Sequence, residues 1–384
     1  MNRLKNIIVG VDASRNRSGG ACLHLIRILS LLDPYEHGIS IVHVWTFHSL
    51  LIQLPTRAWL VKHDSNPNNS SLYEQLLWQA RRLSGELQDN KCDILFTTDA
   101  STLCQFKPMV VLSQDLLSYE PGVMRTFGFG LSRLRLLAIY FLQNRAFRGA
   151  YGVIFLTKYA ANTIQKSCGK LSSYVIIPHG VDDRFQNVVG LCGWPSEDER
   201  ALRCVYVSNA EMYKHQWSVI DAIGILRQRG LNVELKLIGG GSGRAQMLLS
   251  NSLGRIDPKG NFIQQIGFIT QDKLLNYLTS SDVFIFASSC EAFGITLLEG
   301  MSLGLPIACS NRSSLPETLK DGGIYFDPLD PISIAKAVLT IVKSKELRLL
   351  MAVRAKHLSL QYSWERCTDQ TWSFVVSTYH GIQS

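Results

Sequence analysis

Short runs of branched apolar residues alternate with helical segments along this chain, and the whole alternation occurs twice. In the first half, "NIIVGVDA", "SIVHVWTF", "CDILFTTD", "MVVLSQD", "GVIFLTK" and "YVIIPHG" read as strands, with helical stretches such as "ACLHLIRILSLL" and "SLYEQLLWQARRL" between them. In the second half the strands are "RCVYVSN", "VELKLIGGG", "NFIQQIGFI", "DVFIFASS", "PIACSN" and "GIYFDP", with helices near 215–229, 243–252, 271–279 and 295–303. The apolar runs are continuous rather than alternating, which marks strands buried on both faces of a parallel sheet. The pattern predicts an α/β chain of two tandem, doubly wound, Rossmann-like domains. A length of 384 residues suits two such cores.

The expected boundaries are 1–181 for the first domain and 201–360 for the second, joined by the polar, poorly periodic linker 182–200. Residues 361–384 read as a terminal helix crossing back to the first domain. Open α/β sheets take ligands at the carboxyl ends of their strands. Two in tandem are expected to face a central cleft, and the strand-to-helix loops are the place to seek chemistry.

Composition removes several classes. Apolar content of 46% and charge of 18% exclude a disordered chain. Nine cysteines without any C-x-x-C pair support neither a disulfide framework nor a zinc site. Cys290 and Cys309 lie in apolar stretches and read as buried thiols of a reducing compartment. The first apolar run ends at Asp12, too soon for a signal peptide, and no stretch approaches the roughly 20 apolar residues of a membrane span. A cytoplasmic protein is expected, with peripheral contact to the inner face of the plasma membrane left open.

The net charge of +8 has one source. Between Glu120 and Asp182 there is no acidic residue, while Arg125, Arg133, Arg135, Arg145, Arg148, Lys158, Lys166 and Lys170 all fall there. Within this interval "GLSRLRLLAIYFLQNRAFRG" is apolar at its centre and basic at its ends. Two readings stand: a core helix with solvated ends, or an interfacial helix meeting anionic lipid. The acid-free 121–181 segment favours the second. Aromatics are not interleaved with the basic groups as stacking platforms, so nucleic acid is not the expected partner.

Several loops carry candidate chemistry. Gly19 and Gly20 follow the first strand and open a helix, where a phosphate or sugar can approach the backbone closely. In "VSNAEMYKHQ", Lys214 is expected at a helix start beside His215, a position that is unfavourable for a lysine unless an anion sits there. Gly239 and Gly240 lie in "LIGGGSG", a run long enough to favour close approach by a ligand over simple turn flexibility. Last, in "CEAFGITLLE", Glu291 follows a buried strand, Phe293-Gly294 makes the turn, and Glu299 falls in the next helix. Carboxylates so placed accept paired hydroxyl donors and suit vicinal diols. After "MVVLSQD", Asp115 either meets an acceptor hydroxyl or caps the following turn.

Together these residues resemble the retaining GT-B glycosyltransferases, specifically glycosyltransferase family 4 of the bacterial polysaccharide type. "EAFGITLLE" is similar to that family's E-x7-E signature, and Lys214 to its diphosphate-gripping lysine. "VIIPHGVD", "GLPIACSNRSSLPE", "GGIYFDP" and "YSWERC" extend the likeness over nearly the whole chain. The resemblance implies transfer of a hexose, with retention, from a nucleoside-diphosphate sugar to a glycan or lipid-linked saccharide. It implies Lys214 and Glu291 as catalytic residues, and Glu299 on the nucleotide ribose. Asn209, His215, Gly239, Gly240 and the backbone near Phe293, Gly294 and Ile295 would bind the donor, and Gly19, Gly20 and Asp115 would lie on the acceptor side. No cofactor is implied, and without a D-x-D motif no metal is expected. One departure stands out: Asn209 occupies a position where many members carry arginine, and His215 or a basic residue of the first domain is the expected substitute. The alternatives are another GT-B enzyme such as a nucleotide-sugar epimerase, or a nucleotide-sugar-binding protein with weakened turnover.

Overall fold

β1 (Ile7–Asp12) lies in the interior of the first sheet, with apolar partners on both sides: Val9 pairs with Val42 on one side and Ile94 on the other. The computed structural model describes residues 6–17, 19–65, 72–128, 130–188, 193–195 and 200–383. The chain divides into two units, the first comprising Met1–Tyr119, Phe129–Gly180 and Tyr362–Ser384, the second Glu120–Gly128 and Val181–Gln361.

In the first unit, β2 (Ile39–Thr46), β3 (Leu60–Asp64), β4 (Ile94–Thr97), β5 (Met109–Ser113), β6 (Gly152–Phe155) and β7 (Tyr174–Ile176) join β1 in a parallel sheet of order β3-β2-β1-β4-β5-β6-β7. The strand "LVKHD" was not expected from the sequence. As an edge strand it is only partly covered, so it lacks the continuous apolar run that betrays a central strand. Within "SLYEQLLWQARRL" the helix Leu72–Trp78 is followed by a π turn, Gln79–Leu83. That turn aims the buried Gln79 at Asp12, whose Oδ2 accepts from its Nε2 at 2.8 Å.

The helix Gly20–Ser30 buries His24, Leu25, Ile28 and Leu29. Against it lies the terminal helix Trp364–Gln383, whose fully buried Trp372 donates from Nε1 to the Ile28 carbonyl at 2.9 Å. Gly180 permits this approach, since a Cβ there would stand 2.2 Å from the backbone nitrogen of Trp364. Among the described residues no helix is long and apolar enough to cross a membrane.

The second unit repeats the plan with β8 (Leu202–Val207), β9 (Val233–Ile238), β10 (Ile263–Ile266), β11 (Val283–Phe286), β12 (Ile307–Ser310) and β13 (Ile324–Phe326), all parallel, in the order β10-β9-β8-β11-β12-β13. Both sheets reverse their strand order between the first strand and the fourth, the switch point at which open sheets bind ligands. Of the expected linker, Asp183–Gln186 forms a short helix capped by the Asp182 carboxylate, and 189–192 and 196–199 fall outside the described residues.

Candidate functional site

The loops after β8 and β11, neighbours at the switch point of the second sheet, are stitched together by their backbones. Ser289 donates from its amide to the Tyr213 carbonyl at 2.8 Å, and its hydroxyl meets His215 Nε2 at 2.8 Å. The sequence placed Lys214 at a helix start. Instead it ends a 3-10 turn, Met212–Lys214, and the helix Gln216–Gln228 begins beyond His215, which takes a left-handed φ of 49°. This extra turn brings the Lys214 ammonium onto the Glu291 carboxylate as an ion pair. The ammonium also lies 5.1 Å from the Tyr213 ring centroid and 5.7 Å from that of Phe286. The two charged side chains are only 14% and 15% exposed, so the pair is largely shielded from water but open enough to meet a ligand.

Gly294 takes a φ of 94°, which a side chain would resist, and turns the chain into the helix Ile295–Ser302 behind the buried Phe293. Glu299 is buried in that helix with its Oε2 lacking any hydrogen-bond partner. Burial pushes its carboxyl up to about 8; the Asp182 carboxylate adds to the rise, and Arg184 and the Gln271 amide oppose it. A buried, underpartnered acid is a group waiting for donors.

Glu291 itself is fixed by its backbone. Its N–H donates to Ser313 Oγ at 3.0 Å, and its carbonyl accepts from Ser314 Oγ at 2.7 Å. Ser313 Oγ also lies 2.7 Å from Glu120 Oε2 and 3.0 Å from the Glu291 carbonyl. Neither Ser313 nor Glu120 was singled out from the sequence; the only signal was that Glu120 is the last acid before the basic interval.

The other expected donor residues behave differently. Gly239, with a φ of 129°, is required by the chain's own backbone: a Cβ would lie 2.2 Å from the Ser208 carbonyl oxygen. The carbonyl of Gly240 accepts from the Ala210 amide at 2.9 Å, and a Cβ on Gly240 would press on Phe268. The close approach expected of a ligand at these glycines is made here by the chain itself. Asn209 is exposed. His215 is buried, and burial lowers its imidazole to about 4, so at neutral pH it is uncharged and does not replace the missing arginine.

In the first unit Gly19, at a φ of 66°, opens the helix that begins at Gly20. Asp115 caps the turn after β5, its Oδ1 accepting from the Leu117 amide at 2.9 Å. It also lines a pocket of about 280 Å³ with Arg15, Asn16, Gln114, Arg135 and Gln143, so both expected roles remain compatible with its place. Arg15 is tied there to Asp99 at 2.8 Å. Gly19 and Gly20 do not line this pocket, although Ala21 does.

Among the described residues one trio could hold a metal ion: the ligand atoms of His24, His179 and Cys367 lie within 4.8 Å of one another. All three are buried in the first unit, the two imidazoles 4.9 Å apart by centroid, and burial pushes the Cys367 thiol up to about 12. Lys214 and Glu291 belong to the second unit.

Sucrose-phosphate synthase from Thermosynechococcus elongatus matches at a TM-score of 0.75 and 16% identity, over 95% of this chain and 97% of that one. HepE of Anabaena, solved with UDP and glucose, matches at 0.71 and 18%, over 95% and 98%. These likenesses show the fold, two Rossmann-like α/β domains of the GT-B kind. By sequence, O-antigen chain mannosyltransferase B of Escherichia coli is 34% identical over 110 residues, 29% of each chain. The chain matches about half or less of the length of its curated relatives, from 21% to 53%. The stretch that holds Lys214, Glu291 and Glu299, residues 195–358, matches the family described as Glycosyl transferases group 1.

Proposed function

We propose that this chain is a retaining glycosyltransferase of family 4 that moves a hexose from a nucleoside-diphosphate sugar to a hydroxyl of a glycan or lipid-linked saccharide. The observation that carries the reading is the shielded Lys214–Glu291 pair at the switch point, with the buried, underpartnered Glu299 in the helix that follows. In the reaction the bond between the anomeric carbon and the diphosphate oxygen breaks, and a bond to the acceptor oxygen forms. The acceptor's proton leaves with the departing phosphate. Lys214 meets the negative charge that grows on the leaving diphosphate, and in a partly dry site such a contact acts strongly on rate. Glu291, released from the lysine by that anion, takes hydroxyls of the sugar. Glu299 takes the ribose hydroxyls, whose two donors suit its open carboxylate.

The acceptor side rests on the pocket around Asp115 and Arg135. For a lipid-linked acceptor, the helix Leu131–Gly149 offers a surface: Leu131, Leu134 and Phe141 are 85%, 63% and 67% exposed, and Arg135 and Arg145 are exposed among them. Apolar groups flanked by arginines suit an anionic leaflet. The name of the mannosyltransferase relative points to polysaccharide assembly, and the UDP and glucose bound by HepE indicate the chemistry to try first.

A panel of UDP-, GDP- and dTDP-sugars with lipid-linked acceptors, followed by nucleotide release, tests the reading. Transfer by the wild type that disappears in Glu299→Ala and Lys214→Ala is the expected result. Donor binding without turnover would instead identify a nucleotide-sugar-binding protein, a reading favoured by the uncharged Asn209 and neutral His215.

A further inference from the structure

The pair Lys214 and Glu291 sits on two loops of the second unit, and a short piece of the chain's first half packs on the turn of one and reaches the other through Ser313. Glu120–Gly128 belongs to the second unit although the residues on either side of it, Tyr119 and Phe129, belong to the first. Its helical turn, Val123–Thr126, packs against the 3-10 turn Met212–Lys214. Its first residue, the buried Glu120, accepts a hydrogen bond from Ser313, and Ser313 holds the backbone of Glu291. One insert therefore bears on both members of the ion pair.

Ser313 shows that this contact is specified. It adopts a φ of 59°, in the left-handed region that residues other than glycine, asparagine and aspartate rarely occupy. A serine persists in such a conformation when its surroundings over-determine it. A hydroxyl has one proton to give. Glu120 Oε2 at 2.7 Å is closer than the Glu291 carbonyl at 3.0 Å and is a carboxylate oxygen, so the proton goes to Glu120. A lone pair of the same oxygen then accepts from the Glu291 amide, which donates to Oγ at 3.0 Å, while Ser314 donates to the Glu291 carbonyl. Glu120 thereby sets the direction of the hydroxyl that grips Glu291.

We propose that Glu120 is a positioning residue for the Lys214–Glu291 pair, acting through Ser313, and that Glu120–Gly128 is a brace built into the donor site. This rests on the function proposed above for what the pair does, but the brace itself is testable without it. The brace fixes the Glu291 loop on one side and the Lys214 turn on the other. Loss of it leaves both charges present and lets their spacing drift.

The test combines amide hydrogen exchange of the ligand-free chain with donor kinetics, in Ser313→Gly, Glu120→Ala, Glu120→Gln and the double variant Glu120→Ala/Ser313→Gly. Ser313→Gly is the safest of these to fold, since glycine accepts the left-handed backbone without cost. Exchange at the Glu291 amide is expected to rise about tenfold or more in Ser313→Gly and Glu120→Ala, with the strands of the first sheet unchanged, and to stay slow in Glu120→Gln, whose amide oxygen still accepts. Turnover is expected to fall about tenfold with the donor KM nearly constant, as for a misplaced catalytic group. The double variant should be no worse than the more affected single one, because the two residues act in series. Unchanged exchange at Glu291 in Ser313→Gly, or losses that multiply in the double variant, would overturn the proposal. If the wild type transfers no sugar, the proposed function fails while the exchange arms still decide the brace.

Discussion

Lys214 and Glu291 neutralise each other across the loops that follow β8 and β11, each side chain about one-seventh exposed. A ligand bearing both a diphosphate and hydroxyl groups can part them, giving each charge a better partner than the other.

Removing one partner leaves the second partly buried and uncompensated. Lys214→Met should lower turnover by about 10²–10³-fold, the loss typical for one electrostatic contact to a developing oxyanion. It should also lower the melting temperature, and the double variant Lys214→Met/Glu291→Gln should regain part of that stability. Thermal melts and nucleotide release measure both. Full turnover in Lys214→Met would remove the lysine from the mechanism.

Glu299 makes the site sensitive to pH. Its folded pKa of about 8 lies above the ordinary carboxylate value, so between about 4.5 and 8 the folded chain holds a proton that the unfolded chain has lost. The stability associated with that proton is fully present below about 4.5 and is lost as pH rises through 8. Glu299→Gln should therefore raise the melting temperature more at pH 8.5 than at pH 5, while abolishing donor binding. On the proposed role, in which the ionised carboxylate takes the ribose hydroxyls, donor binding to the wild type should release protons near pH 7. Calorimetry in buffers of different ionisation enthalpy reads this directly, and equal heats in all buffers would refute it.

Two glycines should be intolerant for different reasons. Gly239→Ala places a methyl 2.2 Å from the Ser208 carbonyl oxygen and forces a side chain into a φ of 129°. Gly180→Ala drives a methyl into the backbone at Trp364 and loosens the terminal helix. Each should cost about 1–3 kcal/mol or more, as overpacking against backbone does. Urea titration measures the loss. Gly239→Ala should also weaken nucleotide binding, while Gly180→Ala should leave it near wild type.

The exposed side of the helix Leu131–Gly149 makes a surface prediction. Glutamate at Leu131, Leu134 and Phe141 together should abolish cosedimentation with vesicles rich in anionic lipid, and charge reversal at Arg133, Arg135 and Arg145 should do the same. Arg148 is a poorer choice, because it is bonded to the carbonyls of Ser167 and Cys168. Unchanged sedimentation of both variants would leave this helix without a lipid role.

Much of the architecture was legible because buried parallel strands cannot hide their apolar runs. All six strands read in each half are present, and the helix expected at 271–279 is Gln271–Thr279. Glu291 in a loop and Glu299 in the following helix could likewise be read from the run that separates them. What escaped was written in no periodicity. β3 is half-covered at an edge, the π turn at Gln79–Leu83 has the composition of an ordinary helix, and Lys214 stops one turn short of the helix because His215 takes a left-handed backbone. The partnership of Glu120 with Ser313 joins residues 193 positions apart, a pairing that spacing rules do not reach.

The order in which the two units are assembled from the chain has a consequence for biosynthesis. The polypeptide passes between them at residues 119/120, 128/129, 180/181 and 361/362. A ribosome releasing the chain from its amino end delivers every strand of the first sheet early, but the indole of Trp372 that closes over the helix Gly20–Ser30 emerges only after the whole second unit has been made. Until then the nascent first unit carries an open apolar seam, and neither unit can be excised intact by a single cut.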